Sequence, residues 1–293
     1  MGKNRSDTEK EFIFNGRDFD RVRELIYKKA GISLADSKQE MVYSRLARRL
    51  RATGINSFSI YLDSLERGTS ESEWEAFTNA LTTNLTSFFR EEHHFPILAE
   101  HMKNRKDAIN VWCSASSTGE EPYSIAMTLC EAFGTLKPPV QIIATDIDTN
   151  VLATASKGVY NIDRLEKMSQ DRISRFFLRG KGAQEGMVRI RTELRELIVF
   201  KQLNLLEDGW TLKGPFDAIF CRNVMIYFDK TTQGNILKKF VPLMKKDGLL
   251  FAGHSENFSY VSEDFRLRGK TVYELTSLHP KQSKSMSYDL SKG

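Results

Sequence analysis

The sequence predicts an α/β protein whose main domain is a Rossmann-like, doubly wound sheet, preceded by an all-α N-terminal domain. The run 109–113 is apolar and β-prone, and it is followed by a turn of small residues and then by a helical pattern. Further apolar runs that end in polar residues lie at 140–145, 198–203, 216–221 and 249–252. In such sheets ligands bind beyond the carboxyl ends of the strands, so these polar residues form the candidate site.

The composition is that of a globular protein outside the membrane. The chain has 293 residues, enough for two domains, of which 40% are hydrophobic and 28% charged. No apolar run reaches membrane-spanning length, and the N-terminus lacks the apolar core of a signal peptide. Cys113, Cys130 and Cys221 lie in apolar runs without CxxC spacing, which indicates buried, reduced thiols and a cytoplasmic location.

Charge and histidine content exclude little by themselves. A net charge of +5 allows an acidic partner but does not by itself imply nucleic acid. The five histidines form no metal-ligand pattern, because the adjacent His93 and His94 are expected to point to different helix faces. We therefore expect no metal.

Four amphipathic segments predict a helical domain at residues 15–82, after a disordered polar tail at 1–14. The segments lie at 18–30, 36–54, 57–68 and from 70 onward. Asp36 with Gln39, and Ser70 with Glu73, have the spacing of capping boxes that open the second and fourth helices.

The second helix carries a cluster of arginines largely outside its apolar stripe. They are Arg45, Arg48, Arg49 and Arg51. Along the sequence only Asp36 and Glu40 offset them. A solvated charged face is one interpretation, and a docking surface for an acidic partner is the other.

Residues 83–95 depart from amphipathic spacing and combine hydroxyls, an amide and an arginine with two aromatic side chains. We interpret this stretch as a linker that contributes to the site. The α/β domain is expected at 96–279, with a disordered tail at 280–293.

The turn after the first strand excludes two common phosphate-binding motifs. Gly119 is its only glycine, whereas a dinucleotide fingerprint needs three, and no Gly-Lys-Ser/Thr sequence of a P-loop follows. Pro122 fits the first helical position, so Glu120 and Glu121 lie near the helix start. They either cap the helix dipole or, in the case of Glu121, bind a cationic or zwitterionic ligand.

Asp146 lies at the tip of the second strand. A carboxylate there can accept hydrogen bonds from both hydroxyls of a ribose. The alternative is that Asp146 caps the next helix, although Asp148 or Thr149 suits that role better.

A small antiparallel β-subdomain is expected at about 178–198. Residues 150–180 have a helical pattern, and a turn containing Gly180, Gly182 and Gly186 follows. The alternating run 187–191 predicts a half-buried strand with an open edge, where an extended peptide could pair.

The last elements are a helix and a hairpin. Asp229 is expected to cap the helix, and Gly248 to end it. Runs 265–267 and 271–275 around Gly269 predict a terminal antiparallel hairpin.

Five motifs together resemble the chemotaxis receptor glutamate O-methyltransferase family, CheR, within the class I S-adenosylmethionine-dependent methyltransferases. They are Asn-Leu-Thr-Ser-Phe-Phe-Arg at 84–90, Ser-Ser-Thr-Gly-Glu-Glu-Pro-Tyr-Ser at 116–124, Thr-Asp-Ile-Asp at 145–148, Phe-Cys-Arg-Asn-Val-Met-Ile-Tyr-Phe at 220–228, and Gly-His-Ser-Glu at 253–256. The resemblance covers roughly residues 15–278.

The resemblance implies a cofactor site for S-adenosylmethionine, with S-adenosylhomocysteine as product. Glu121 would contact the amino group of the methionine moiety and Asp146 the ribose. Seven further residues would complete the pocket: Asn84, Thr86, Arg90, Asn204, Leu205, Arg222 and Asn223. Arg90, Arg222 and Tyr227 are the implied catalytic residues, and no metal is implied.

The family methylates glutamates in the cytoplasmic helical region of chemoreceptors. The resemblance therefore implies that the four arginines face this region and that Gly180, Gly182 and Gly186 belong to a surface for the receptor's C-terminal tail. A monomer that binds no nucleic acid and does not insert into the membrane is expected.

Two other functions stay open at the level of sequence. An RNA or DNA methyltransferase is favoured by the pI near 9.0, the basic helix and Cys221, which lies where some cytosine methyltransferases carry a nucleophile. The Asn/Asp-Pro-Pro-aromatic signature of amino-methylating enzymes is absent, however. A non-catalytic adaptor that binds the cofactor as a sensor is the second alternative.

Overall fold

The computed structural model describes residues 10–68 and 70–276, in which a helical domain precedes an α/β domain. The first domain contains α1 (Gly16–Ala30), α2 (Gln39–Thr53), α3 (Phe58–Glu66) and α4 (Glu71–Leu81). Their apolar faces meet in one core, which includes the fully buried side chains of Val22, Leu46, Tyr61 and Phe77. Packing of these faces, more than helix propensity, stabilises such short helices.

The start of the chain is more ordered than the sequence suggested. The expected tail at 1–14 overlaps the described residues from Lys10 onward, and Phe14 is buried in the helical core. Phe14 packs against Phe58 with ring centroids 4.5 Å apart. Burial of this aromatic ring fixes the residues just before α1, so the expectation of a disordered tail is wrong there. Residues 1–9 lie outside the described residues.

Neither predicted capping box forms. A 3₁₀ turn, Asp36–Lys38, leads into α2, and its aspartate makes no capping bond. Ser70 precedes α4, but its side chain caps no backbone N–H. Glu73 instead accepts hydrogen bonds from Arg49 and Tyr61 on neighbouring helices, so its carboxylate is engaged between helices and does not cap α4.

The remaining helices and strands form the α/β domain. The helices are α5 (His94–Met102), α6 (Glu120–Phe133), α7 (Thr149–Lys157), α8 (Gln170–Phe176), α9 (Thr192–Arg195) and α10 (Lys230–Phe240). The strands are β1 (Ile109–Cys113), β2 (Val140–Asp146), β3 (Val159–Asn161), β4 (Phe177–Arg179), β5 (Met187–Ile190), β6 (Ile198–Gln202), β7 (Phe216–Cys221), β8 (Met244–Ala252), β9 (Phe265–Gly269) and β10 (Val272–Leu275).

Seven strands form the main sheet in the order β6-β2-β1-β7-β8-β10-β9. The first five run parallel, and β10 pairs antiparallel with both β8 and β9. This confirms the doubly wound sheet and the terminal hairpin. The strand order reverses direction between β1 and β7, which makes the carboxyl ends of these two strands the topological switch point where ligands bind.

A separate three-stranded antiparallel sheet has the order β3-β5-β4. The expectation that residues 150–180 are helical is therefore wrong, because both β3 and β4 lie within this range. The small sheet begins about twenty residues before the predicted subdomain at 178–198, with β3 at Val159–Asn161. Strand β5 is central, so the run that we expected to have an open edge is paired on both sides.

Two other sequence expectations fail for local reasons. Helix α6 begins at Glu120, so Pro122 is its third residue and not its first. Helix α10 ends at Phe240, and Gly248 lies within β8. A side chain at Gly248 would meet the carbonyl oxygen of Phe216 at 3.0 Å, so this glycine allows close strand pairing and does not end a helix.

Apolar layers cover both faces of the main sheet behind the site. One layer includes Phe220 and Phe251, which stack with centroids 4.2 Å apart. The other is built around Trp112, whose ring meets that of Phe240 at 5.1 Å. Among the described residues, no helix is both long enough and apolar enough to cross a membrane.

Candidate active site

A cavity of about 360 Å³ lies at the switch point of the main sheet, between the two domains. Its walls come from the segment between α1 and α2, the linker, the turn after β1 and the ends of β2, β6 and β7. The structure places all ten expected cofactor and catalytic residues around it: Asn84, Thr86, Arg90, Glu121, Asp146, Asn204, Leu205, Arg222, Asn223 and Tyr227. That they bind a cofactor or substrate stays a prediction.

The helical domain forms one wall of the cavity through direct contacts with the α/β domain. The backbone N–H of Ser33 donates to the carbonyl of Tyr227 at 2.9 Å, and the Asn204 amide donates to the carbonyl of Lys29 at 3.0 Å. Gly31 has φ +67°, and a side chain there would meet Leu206 at 2.9 Å. The left-handed backbone favours glycine at this position, and Asn204 has a structural role beside its expected one.

The linker is fixed to the tip of β2 by Asp148. This carboxylate caps α7 by accepting from the backbone N–H of Asn150 at 2.9 Å, as the sequence predicted. Its other oxygen accepts from the Asn84 amide at 2.9 Å and from the Thr82 hydroxyl at 2.8 Å. Asn84 is therefore held at the cavity wall by the residue that caps the neighbouring helix.

Arg222, at the end of β7, forms a buried ion pair with Glu121 at the start of α6. The two side chains are 1% and 12% exposed, and the pair is 2.6 Å long. Glu91 in the linker lies 3.4 Å from the same guanidinium, which also donates to the carbonyl of Arg90. The sequence did not reveal this pair, and it leaves the Arg222 guanidinium committed to protein groups.

The two carboxylates around Arg222 differ in pKa because their surroundings differ. Burial raises the pKa of Glu121, and Arg222 offsets this only in part. Burial also acts to raise the pKa of Glu91, but Arg222 and hydrogen bonds from the His254 N–H and Asn223 outweigh it and hold this pKa below its usual value. With both acids ionised, the cluster carries one more negative than positive charge.

Asp146 is buried at the cavity, and each of its oxygens accepts one backbone hydrogen bond. The donors are the N–H groups of Ser117 at 2.8 Å and Asp148 at 3.0 Å. Each carboxylate oxygen keeps a further lone pair for another donor. Burial raises the pKa of Asp146 to about 6, although the backbone N–H groups favour the charged form. The site therefore fits a ligand diol.

Sequence analysis assigned no role to Glu256, although this residue lies in the Gly-His-Ser-Glu motif. Its buried carboxylate accepts four backbone hydrogen bonds, from Asn223 (2.9 Å), Val224 (3.0 Å), Met225 (2.8 Å) and Gly253 (2.5 Å). Asn223 has φ +59°, an uncommon conformation for a non-glycine residue. Glu256 therefore holds the loop that carries Asn223 and Tyr227 against the cavity.

The cysteines at the ends of β1 and β7 do not fit the nucleophilic role that cytosine methylation would require. Cys221 is fully buried, and burial raises its thiol pKa well above the usual value. Burial raises the pKa of Cys113 in the same way. Since the thiolate is the reactive form, both cysteines are structural.

Three of the four arginines of α2 are already bound by protein groups. Arg49 pairs with Glu73 at 2.6 Å, Arg51 pairs with Glu11 at 2.7 Å, and Arg45 donates to the carbonyl of Thr82 at 2.5 Å. The expectation that only Asp36 and Glu40 offset the cluster is wrong, because these acids come from outside α2. Arg48 is exposed and pairs with no acid in the part of the chain that the structure describes.

Backbone conformation and close packing explain why glycine occupies three positions of the small subdomain. A side chain at Gly180 would lie 1.9 Å from the carbonyl oxygen of Gln184, so the tight turn requires glycine. Gly182 and Gly186 have φ +57° and +79° and face open space. The proposed role of these glycines in peptide binding stays a prediction.

The linker and the start of α5 bring Glu91, His93 and His94 together, with possible ligand atoms within 4.8 Å of one another. The expectation that the two histidines point to different faces is wrong, since their ring centroids are 4.2 Å apart; His93 precedes the helix. A metal ion could be held by such groups, but the Arg222 guanidinium, 3.4 Å from Glu91, opposes a second cation. That the protein uses no metal stays a prediction.

Family comparisons agree with this geometry. The model described as "CheR methyltransferase, all-alpha domain" matches residues 17–82, and "CheR methyltransferase, SAM binding domain" matches residues 84–274. The chain belongs to the CheR methyltransferase family. It is accordingly a methyltransferase with S-adenosylmethionine as cofactor, and the expected fold class is confirmed.

Similar proteins cover nearly the whole chain. The chemotaxis protein methyltransferase of Salmonella typhimurium is 57% identical over 88% of this chain and 90% of its own length. That of Escherichia coli is 56% identical with the same coverage. Chemotaxis protein methyltransferase 2 of Pseudomonas aeruginosa is 53% identical over 90% of this chain and 94% of its own length. These relatives do not favour a nucleic-acid methyltransferase.

Replacing Asp146 should weaken cofactor binding. We expect Asp146→Ala to reduce the affinity for S-adenosylmethionine by about 1–3 kcal/mol, from the loss of charge-assisted hydrogen bonds. Because the pKa of Asp146 is raised to about 6, wild-type affinity should be full above this pH and fall as the pH drops through it. Titration calorimetry at several pH values measures both effects. An Asp146→Asn variant that kept the wild-type pH profile would contradict the assignment.

Glu256→Gln should destabilise the loop after β7. A glutamine amide would present N–H donors to backbone N–H groups, leaving at least one buried donor unpaired. We expect the free energy of unfolding in urea to fall by about 1–3 kcal/mol and methyl transfer to slow. The control is Glu166→Gln, the same change at an exposed position. Equal stability of the two variants would refute the role of Glu256.

Proposed function

We propose that this protein transfers a methyl group from S-adenosylmethionine to glutamate side chains in the cytoplasmic helical region of chemoreceptors, forming glutamyl methyl esters. The observation that carries the proposal is the cavity at the switch point, where Glu121 and Asp146 offer carboxylates and Arg90 offers a cation. The names of the relatives connect the family with chemotaxis. We further propose that the protein is a cytoplasmic monomer.

The cavity suits a cofactor that bears both charges. Glu121 would contact the cofactor's ammonium group, since the acids around Arg222 leave an excess negative charge. Arg90 donates one hydrogen bond to the carbonyl of Leu85 at 2.9 Å and forms no ion pair with a described residue, so it can bind a carboxylate. Bound S-adenosylmethionine would supply an electrophilic methyl group on its sulfonium.

The reaction needs no general base from the protein. A glutamate side chain has an ordinary pKa of about 4.3 and is already ionised at neutral pH. The task of Tyr227 and the surrounding wall is therefore to orient the incoming carboxylate and exclude water. Good orientation of two reactants can contribute about 7–11 kcal/mol. Arg222 contributes by fixing Glu121, because its guanidinium is engaged by protein groups.

A base-lability assay tests the proposed function. We expect radiolabelled methyl groups to be transferred to membranes that contain chemoreceptors, and to be released by mild alkali, because esters hydrolyse in base whereas N-methyl groups do not. Reaction mixtures with membranes lacking receptors serve as the control. Base-stable label, or transfer to added RNA or DNA, would refute glutamate methylation. Cofactor binding without any transfer would favour the sensor alternative.

We propose two further contacts with the receptor. The arginine cluster of α2, in which Arg48 is exposed and free of described acidic partners, would face an acidic receptor helix. The open edges of the small sheet belong to β3 and β4. An extended C-terminal receptor tail would add beside β4, next to the turn that contains Gly180, Gly182 and Gly186, and would raise the local substrate concentration.

A pair of matched leucines tests tail binding. Leu178 on β4 and Leu267 on β9 are both 46% exposed on edge strands. We expect Leu178→Asp to slow methylation of a tail-bearing receptor several-fold and to leave methylation of a tailless receptor unaffected. The reason is that a tether raises the local concentration of substrate and does not alter the chemical step. Leu267→Asp should change neither rate. Equal losses on both receptors in Leu178→Asp would argue against the tether.

A further inference from the structure

We infer that Tyr160 and Arg164 hold the turn after β1 in the conformation that binds the cofactor. Tyr160 lies on β3 of the small sheet, and Arg164 lies in the 3₁₀ turn Ile162–Leu165 that follows it. The small sheet thereby gains a role in cofactor binding that is separate from the proposed contact with a receptor tail. The inference rests on the proposed cofactor site at Asp146 and does not depend on which group accepts the methyl.

The turn between β1 and α6 contains a residue in an unfavourable backbone conformation at the cavity wall. Ser117 lines the cavity and has φ +47°. Its backbone N–H donates to Asp146 at 2.8 Å, and its hydroxyl donates to the carbonyl of Asn84 at 3.3 Å. Such conformations persist only where the surrounding structure holds them. The hydrogen bond to Asp146 therefore depends on the groups that fix this turn.

The carbonyl of Thr118 is fixed by Tyr160 and not by the helix. Thr118 precedes the N-cap residue of α6, and the residue four positions further on is Pro122, which has no N–H to donate. The Tyr160 hydroxyl donates to this carbonyl at 2.8 Å. No backbone N–H of the described residues does so. Because a half-buried carbonyl needs a partner, the phenol favours this conformation of the turn.

Tyr160 is itself held firmly beneath the turn. Its side chain is buried, and its ring contacts those of Phe88 and Tyr123 with centroids 5.1 and 6.3 Å apart. Burial raises the pKa of Tyr160, so the hydroxyl remains a donor. Gly119 has φ +100°, and a side chain there would lie 2.8 Å from the Tyr160 oxygen. Glycine thus permits the close approach of the phenol to the turn.

Arg164 holds the same turn through Glu120. The Glu120 carboxylate is fully buried and accepts hydrogen bonds from the Arg164 guanidinium and, at 2.6 Å, from the Thr118 hydroxyl. A buried carboxylate is stable only with such partners. Thr118 is consequently fixed at its carbonyl by Tyr160 and at its hydroxyl by the acid that Arg164 neutralises.

A turn that is fixed in advance improves cofactor affinity. If the turn adopted the binding conformation for only part of the time, the apparent affinity would fall by that fraction. Tyr160 contacts neither Asp146 nor the cavity and acts through the backbone of Thr118 and Ser117. It is therefore a positioning residue.

Tyr160→Phe tests the inference, because it keeps the ring and removes the hydroxyl. We expect the Kd for S-adenosylmethionine, measured by titration calorimetry, to rise about fivefold from the loss of one hydrogen bond. The KM for the cofactor should rise by the same factor, with kcat at saturating cofactor unchanged. The matched control is Tyr123→Phe, since the buried Tyr123 hydroxyl also donates to a backbone carbonyl at 2.8 Å, that of Ala155 in α7. The control should lower Tm but leave the Kd at the wild-type value.

Two further measurements separate positioning from tail binding and from general loss of stability. Arg164→Ala should also raise the Kd, whereas Arg164→Lys, which keeps the charge beside Glu120, should retain most of the affinity. At cofactor concentrations below the Kd, Tyr160→Phe should slow methylation of tail-bearing and tailless receptors by the same factor, because the tail takes no part in cofactor binding.

The possible outcomes are distinct. An unchanged Kd in Tyr160→Phe, or an equal rise in Tyr123→Phe, would overturn the inference. If Asp146→Ala weakened binding in the same experiment, the proposed cofactor site would stand without it. Wild-type affinity in both Asp146→Ala and Tyr160→Phe would overturn the site and the inference together. Calorimetry needs no methyl acceptor, so failure of base-labile transfer to receptors would refute the proposed substrate alone.

Discussion

The buried ion pair between Arg222 and Glu121 organises the site. It joins the end of β7 to the start of α6 across the switch point, and through Glu91 and the carbonyl of Arg90 it also holds the linker. Removing one partner of such a pair typically costs about 3–5 kcal/mol, because the other charge is left buried alone. Three chain segments that are distant in sequence are thereby fixed around one guanidinium, and the cavity forms between them.

Two further carboxylates extend this fixed frame. Asp148, which caps the helix after β2, accepts a hydrogen bond from Asn84 of the linker. Glu256 accepts hydrogen bonds from backbone N–H groups of the loop after β7. Both acids satisfy donors that would otherwise be unpaired near an apolar core. The helical domain then completes the wall, since Gly31 and Ser33 pack directly on that loop. The cavity is consequently a property of both domains together.

The features that could be predicted from the sequence are those that depend on the local pattern of apolar and polar residues. The core strands of the main sheet and the caps Asp148 and Asp229 follow from apolar runs and polar ends. Strand β3 has only three residues, too few for an alternating pattern, and it was missed. Glu73 was misassigned to a cap because its partner Arg49 lies on another helix, and the ion pair between Arg222 and Glu121 was missed because its partners lie 101 residues apart. Such pairings are set by tertiary packing.

The distribution of charge suits a reaction in which opposite charges disappear. In the proposed transfer, a positive sulfonium and a negative carboxylate become neutral, so the transition state is less charged than the bound reactants. A site that held either charge too tightly would stabilise the reactants and slow the step. Here the buried guanidinium of Arg222 is already paired with Glu121 and lies 3.4 Å from Glu91, so its charge is committed to protein groups. A cation that is held in this way does not bind the substrate carboxylate tightly in the ground state. The distribution of charge is therefore compatible with efficient transfer.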